Sequence, residues 1–321
     1  MNCKPSEFKF QFETYQNYFK QPLRTSHGVW RVREGIIVSL TNPPGKIGKG
    51  EIAPLPWFGS ETLAQARNFC QQLGETVSTA EIMAIDDSLP CCQYALESAY
   101  LALKQDPIAA EGNLDFCYLL PAGEAVLNAW QDLFLAGNIT TVKWKIGVLP
   151  LSQEIDILRR LASDLPPGVK LRLDANGGLN LDRARQLLTV TDGLTAIEFV
   201  EQPLPPADLD HILQLERDYQ TLLALDESVA SFKQLQQVYR RGWQGVYVIK
   251  AAIMGYPSRL IEFCQHNSLD VVFSSVFETE IARQISLDLA RQLSHPRALG
   301  FGVKHLFARS PIINTSNDAR L

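Results

Sequence analysis

Apolar and polar residues alternate one for one over residues 8–19, the period of a β-strand with one buried face. Residues 33–40 and 46–53 are strand-like as well, and the turn Asn42-Pro43-Pro44-Gly45 between them predicts a hairpin. Two stretches rich in turn-forming residues, about 21–30 and 50–60, are expected as loops. The spacing then becomes helical. A helix is expected from Ser60, as its N-cap, to residue 73, with Gly74 as the stop. Ser78 and Glu81 have the spacing of a capping box, and residues 91–103 carry an apolar stripe.

From residue 116 the pattern is a repeating strand and helix. Strands are expected over 116–120, 141–147, 169–174, 196–201, 222–226, 245–250, 270–275 and 298–301. Helical periodicity fills the intervals between them. Close to eight such alternations predict an α/β fold, a (β/α)8-type barrel behind an N-terminal α+β capping domain. The expected domains are 1–108 and 109–321, with the C-terminal tail packing back on the first. A doubly wound open sheet is the structural rival, but no G-x-G-x-x-G follows any strand to support a dinucleotide site.

Composition narrows the function. In 321 residues, 46% hydrophobic and 20% charged, there is ample apolar material for a large core. A net charge of −5 without a basic patch argues against a nucleic-acid partner. No apolar run reaches the ~20 residues of a membrane span, and residues 1–20 lack the apolar core of a secretory signal. The six cysteines lack metal-ligand spacing: Cys91 and Cys92 adjoin, and Cys3, Cys70, Cys117 and Cys264 stand alone. Buried, reduced thiols in a cytoplasmic protein are expected.

The chemistry lies at the strand ends. Lys145, Asp174, Glu201, Asp226 and Lys250 close successive strands at intervals of 29, 27, 25 and 24 residues, close to one strand–helix unit each. Charged side chains at that end of barrel strands converge on one cavity. A single carboxylate there would mark only a strand reaching water. Three in a row between two lysines point to a site. Asp174, Glu201 and Asp226 are hard oxygen donors that need a cation to share a cavity, and Mg²⁺ suits them. Strand alternation puts Lys143 on the same face as Lys145, where a like charge lowers a lysine pKa. The set predicts removal of a proton α to a carboxylate, by Lys145 or Lys250, with the enediolate held by Mg²⁺.

Lys143-x-Lys145, Asp174-Ala-Asn176-Gly, Glu201-Gln-Pro203-Leu, Asp226-Glu-Ser228 and Lys250 resemble the enolase superfamily over nearly the whole chain. Within it they are similar to the branch of muconate cycloisomerases and o-succinylbenzoate synthases. The stretches 50–56 and 60–62, Arg172, and Phe273-Ser274-Ser275 with Glu278 resemble the latter family. That resemblance implies dehydration of 2-succinyl-6-hydroxy-2,4-cyclohexadiene-1-carboxylate in menaquinone or phylloquinone biosynthesis. It implies Lys145 as the base, which then protonates the departing hydroxide in a syn elimination. It implies Lys250 as a cation over the ring, and Arg172, Ser274 and Ser275 as substrate contacts. Arg172 paired with a nearby acid, and serines capping a helix, are the plainer readings of those three. The rivals are an N-acylamino acid racemase or dipeptide epimerase on the same scaffold, and a non-catalytic barrel that only binds. His27, in the first loop, covers a substrate or, more plainly, is solvated, and Trp57 and Phe58, in the second, line the pocket or pack the loop on its own domain.

Overall fold

The structure, a computed structural model, describes residues 7–25, 28–104, 114–135, 137, 139–293, 297–308 and 311–314. The expected domain boundary at 108–109 lies outside the described residues, as do Cys3 and His27.

The first part of the chain is an antiparallel sheet with helices. Its strands are β1 (Glu7–Thr25), β2 (Gly28–Thr41), β3 (Ile47–Ile52) and the short β4 (Thr76–Ser78). Its helices are α1 (Leu63–Gln72), α2 (Thr79–Met83) and α3 (Pro90–Lys104). Within the stretch 21–30, expected as a loop, residues 23–25 and 28–30 instead pair as strands: Leu23 is the register partner of Trp30, Arg24 of Val29 and Thr25 of Gly28. The register shifts between Tyr18 and Leu23, and that irregularity accommodates Pro22, which cannot donate to a ladder. The N-cap of α1 is Thr62 rather than Ser60. Thr62 and Gln65 form a reciprocal capping box, whereas the Ser60 hydroxyl accepts from Leu55 N at 2.8 Å. The Ser78–Glu81 capping box forms as expected.

Helix α3 lies against β3 because β3 carries Gly48 and Gly50 on its inner face. A Cβ on either would fall about 2 Å from the carbonyl oxygen of Ala99 or Ala95. Most of α3 is buried, because its other side meets the barrel, where Tyr94 Oη donates to Ala282 O at 3.1 Å.

The barrel strands are β5 (Phe116–Leu119), β6 (Thr141–Lys145), β7 (Lys170–Asp174), β8 (Ile197–Glu201), β9 (Leu223–Leu225), β10 (Val246–Ile249), β11 (Val271–Phe273) and β12 (Leu299–Gly302). Between them run α4 (Val126–Leu135), α5 (Leu151–Asp164), α6 (Leu181–Thr191), α7 (Leu209–Asp218), α8 (Phe232–Arg240), α9 (Pro257–His266) and α10 (Glu280–Gln292). The eight strands are parallel, in the order β11-β10-β9-β8-β7-β6-β5-β12, and a bridge between Ser274 and Gly300 joins the two ends. The doubly wound alternative is thereby set aside. After β12 a 3-10 turn stands where an eighth helix would follow, and β13 (Ile312–Asn314) pairs with β1. Phe199, Ala224, Val246, Val248 and Val272 fill the barrel interior as a cluster distinct from the main core.

The two parts are joined by buried polar contacts. Glu51 of β3 accepts from Tyr15 Oη at 2.6 Å, from Thr279 N at 2.9 Å and from Ala282 N at 3.1 Å. It thus caps the N-terminus of α10. Glu97 of α3 does the same for α9, accepting from Ser258 N at 3.0 Å and its hydroxyl at 2.6 Å.

Candidate active site

Strand β6 alternates as its sequence requires. Val142 and Trp144 point into the main core, and Lys143 and Lys145 into the barrel. Lys145, Asp174 and Glu201 share one row across β6, β7 and β8, since their Cα positions are register partners. Asp226 and Lys250 directly follow β9 and β10. The structure therefore brings all five strand-end residues and Lys143 to the same end of the barrel.

The three carboxylates are buried, at 2% exposure for Asp174 and Glu201 and 6% for Asp226. Burial, with the Asp174 charge adding to it, pushes Glu201 up to about 7. Burial raises Asp226 as well, against the opposing pull of Lys250. Burial opposes ionisation of Asp174 too, but Lys143 and Lys145 outweigh it and hold that carboxyl below its usual range.

Lys143 reaches between two of the carboxylates, with Nζ 2.8 Å from Asp174 Oδ2 and 2.7 Å from Glu201 Oε1. Burial alone would lower its pKa, but Asp174 and then Glu201 raise it well above the ordinary lysine value. In this arrangement Lys143 balances carboxylates. Lys145 Nζ donates instead to Asn176 Oδ1 at 3.0 Å, and Lys250 pairs with Asp226.

Two polar residues at the strand ends extend the site. Asn176 (φ 43°) donates from its backbone N–H to Asp174 Oδ1 at 3.1 Å and from Nδ2 to Glu227 Oε1 at 3.1 Å. Gln202 (φ 40°) is fully buried. Its Oε1 accepts from Asp226 N and Ser228 N, both at 3.1 Å, and its Nε2 donates to Ser228 Oγ at 2.7 Å. Asn176 fixes the Lys145 ammonium, and Gln202 ties the end of β8 to the end of β9. Left-handed backbone at two non-glycine residues is held where the site is built. The signal for both was their place, one or two residues beyond a motif carboxylate.

Of the expected substrate contacts, Ser274 and Ser275 directly follow β11, at the site end of the barrel, and Arg172 turns away from it. Arg172 is buried one layer deeper, level with Lys143, over the ring of Phe199 at 4.7 Å. Its Nε donates to Glu198 Oε2 at 2.6 Å and Nη1 to Ala298 O at 2.7 Å, contacts at the opposite, N-terminal end of the barrel. Glu198 is shared with Arg297 at 2.7 Å, so Arg172 belongs to an ionic floor. Ser274 forms the bridge to Gly300, where a Cβ would come 2.9 Å from its Oγ. Ser275 Oγ donates to Glu278 Oε2 at 2.8 Å and accepts from Phe277 N at 2.8 Å, shaping the turn into α10.

Glu278 is itself a measurable feature. Burial, reinforced by the neighbouring Glu51 charge, pushes its carboxyl up to about 7 despite hydrogen bonds from Ser275 and Val276 N. A raised folded-state pKa favours the fold fully below the unfolded value near 4.5, and that contribution is lost as pH rises through about 7. Glu278→Gln, neutral at every pH, should therefore match wild type at pH 4.5 and exceed it by up to about 3 kcal/mol at pH 8. Denaturant melts of both proteins across that range check the sign. A gap that is flat with pH would contradict the assignment.

The donor set fits a hard divalent cation: three buried carboxylates on neighbouring strands, with no nitrogen or sulfur ligand among them. As the side chains stand, no group of three His, Cys, Asp or Glu among the described residues is close enough to hold a metal, because ammonium groups lie against the carboxylates. Asp174, Glu201 and Asp226 are nonetheless the kind of donors a magnesium site needs.

Comparison with known proteins agrees with this geometry. Residues 125–310 match the family model described as enolase C-terminal domain-like, and residues 14–103 match that of the MenC N-terminal domain. The chain is 40% identical to an o-succinylbenzoate synthase of Thermosynechococcus vestitus, over 96% of each chain. A crystal structure of o-succinylbenzoate synthase from Thermosynechococcus elongatus, with magnesium in its active site, superimposes with a TM-score of 0.89 at 38% identity, over 96% of this chain and 97% of that one. The L-Ala-D/L-Glu epimerase of Bacillus subtilis superimposes with a TM-score of 0.81 over 96% of this chain and 92% of its own. At 19% identity it shares the fold alone.

Proposed function

The chain belongs to the o-succinylbenzoate synthase family of the enolase superfamily, and from that premise we infer that it dehydrates 2-succinyl-6-hydroxy-2,4-cyclohexadiene-1-carboxylate to o-succinylbenzoate. The reaction is a carbon–oxygen lyase step of menaquinone or phylloquinone biosynthesis. The observation that carries this reading is the pair of lysines, Lys145 and Lys250, flanking three buried carboxylates on the intervening strands.

Asp174, Glu201 and Asp226 are the residues that would hold Mg²⁺, which when bound supplies positive charge to the substrate carboxylate and acidifies the adjacent C–H. Lys145 in its neutral form takes that α-proton, held on line by Asn176. The C–H electron pair becomes the new ring double bond as the C–O bond breaks. The same ammonium returns the proton to the departing oxygen, which leaves as water. Base and acid are one residue, so both groups depart from one face. Lys250 keeps its proton and stabilises the negative charge that builds on the substrate. Lys143, bonded to two carboxylates, balances the charge of the cluster.

We place the enzyme in the cytoplasm. Cys70, Cys91, Cys92, Cys117 and Cys264 are free and buried, which supports a reducing compartment. No helix among the described residues is long and apolar enough to cross a membrane.

The test is turnover of the cyclohexadiene substrate by purified protein. Conversion to the aromatic product with Mg²⁺, lost with EDTA and restored by excess Mg²⁺, is the expected result. Folded protein that binds Mg²⁺ yet forms no product would overturn the reading.

A further inference from the structure

Lys250 has two unlike neighbours. Its ammonium pairs with Asp226, and the ring of Phe58 lies over it, with Nζ 4.2 Å from the ring centroid. Phe58 does not come from the barrel. It ends the 3-10 turn Pro56–Phe58, which follows β3 in the N-terminal part of the chain. A phenyl ring attracts a cation only through its face, and most strongly where water is scarce. The Lys250 side chain is 10% exposed, so the contact lies in that regime.

The turn is built to stay in place. Pro56 presets its first dihedral, and Gly59 closes it with φ 86°. Trp57 stands edge-on to Trp30 at 5.1 Å, and Trp30 meets Phe277 at 5.4 Å, just beyond the end of β11. Phe19 packs on both Trp30 and Phe277. An aromatic cluster spanning the hairpin, the turn and the barrel rim therefore fixes where the Phe58 ring sits.

We propose that Phe58 is a positioning residue for Lys250: its π face holds the ammonium beside the reacting ring, against the pull of Asp226. The inference rests on the dehydratase reading, in which Lys250 is the fixed cation. Without the ring, the carboxylates of Asp226 and Glu227 are left to orient the long side chain, and the charge is drawn toward them. The loss then falls on kcat, since the cation acts on charge that develops in the transition state.

Mono-, di- and trifluorophenylalanine at position 58 test this, because they drain the ring face of negative potential with little change of shape. Log kcat should fall stepwise along the series by about tenfold in total, with KM within about twofold. Phe58→Trp should retain activity, and in a Lys250→Met background the trend should vanish. A flat series in an active wild type, or the same slope without Lys250, would overturn the proposal. A second readout needs no turnover. In lysine-labelled protein the Lys250 ε-methylene protons should resonate upfield through the Phe58 ring current and lose that shift in Phe58→Leu. Absence of dehydration by wild type counts against the assigned reaction, and this signal then decides the Phe58 contact by itself.

Discussion

Lys145→Ala should lower turnover by at least about 10³-fold while the protein still folds and binds Mg²⁺. Lys145 is the residue that moves the proton in both half-steps, removing it from carbon and returning it to oxygen. Its loss therefore removes base and acid together. Its ammonium contacts Asn176 rather than a carboxylate of the cluster, so truncation leaves the bonds of Lys143 to Asp174 and Glu201 and of Lys250 to Asp226 in place. The expected pattern is kcat reduced to near background, KM little changed, and unaltered Mg²⁺ binding by calorimetry. Lys145→Arg should be nearly as inactive, because a guanidinium does not give up its proton. Near-wild-type turnover in Lys145→Ala would mean that the base is another group.

Asn176 is the indirect counterpart of that result. Asn176→Ala should cost less than Lys145→Ala, since it removes the group that aims the base and leaves the base. Such graded losses separate a residue that moves protons from one that orients it.

The parts of this protein written in local periodicity were legible in its sequence. The eight barrel strands, the capping box at Ser78 and the placing of Asp174, Glu201 and Asp226 at successive strand ends all follow from residue type and spacing. Alternation was enough to put Lys143 and Lys145 on one face. It was also enough to put Arg172 on the face of Asp174, and there it misled. A face is one coordinate and direction along the barrel axis is another. Lys143 sits at the depth of Arg172 and still reaches Asp174 and Glu201, so alternation leaves open which way along the barrel axis a long side chain turns. Arg172 turns the other way and finds its acid, Glu198, at the far end. Similarly, Ser60 is the better cap by type, but Thr62 has Gln65 three residues on and forms the capping box with it, while Ser60 is taken up by Leu55 N. Turn-forming residues at 21–30 suggested a loop, but strand pairing with a partner close in sequence absorbed Pro22 at a register shift. Contacts between parts of the chain distant in sequence had no local signature. Glu51 and Thr279 are 228 residues apart, and the ring of Phe58 reaches Lys250 across the same junction.

Glu51→Ala should be among the most destabilising single substitutions in the protein, at about 3–5 kcal/mol. The side chain is fully buried and accepts from Tyr15 Oη, from Thr279 N and its hydroxyl, and from Ala282 N. Truncation strands all of these donors away from water. It also removes a negative charge from the N-terminus of α10, where the helix dipole favours one. In a chain of 321 residues the loss corresponds to a fall of roughly 5–7 °C in Tm. Glu51→Gln, which keeps the shape and one acceptor oxygen, should lose less than half as much. The effect should also reach catalysis in protein that is still folded. Glu51 joins β3 to α10, and the turn bearing Phe58 follows β3 directly, so a loosened joint displaces the ring over Lys250. Thermal melts and kcat measured on the same two variants check both halves. A Glu51→Ala protein with an unchanged Tm would show that the donors find other acceptors. An unchanged kcat alongside a lowered Tm would show that the Phe58 turn is held by its aromatic contacts alone.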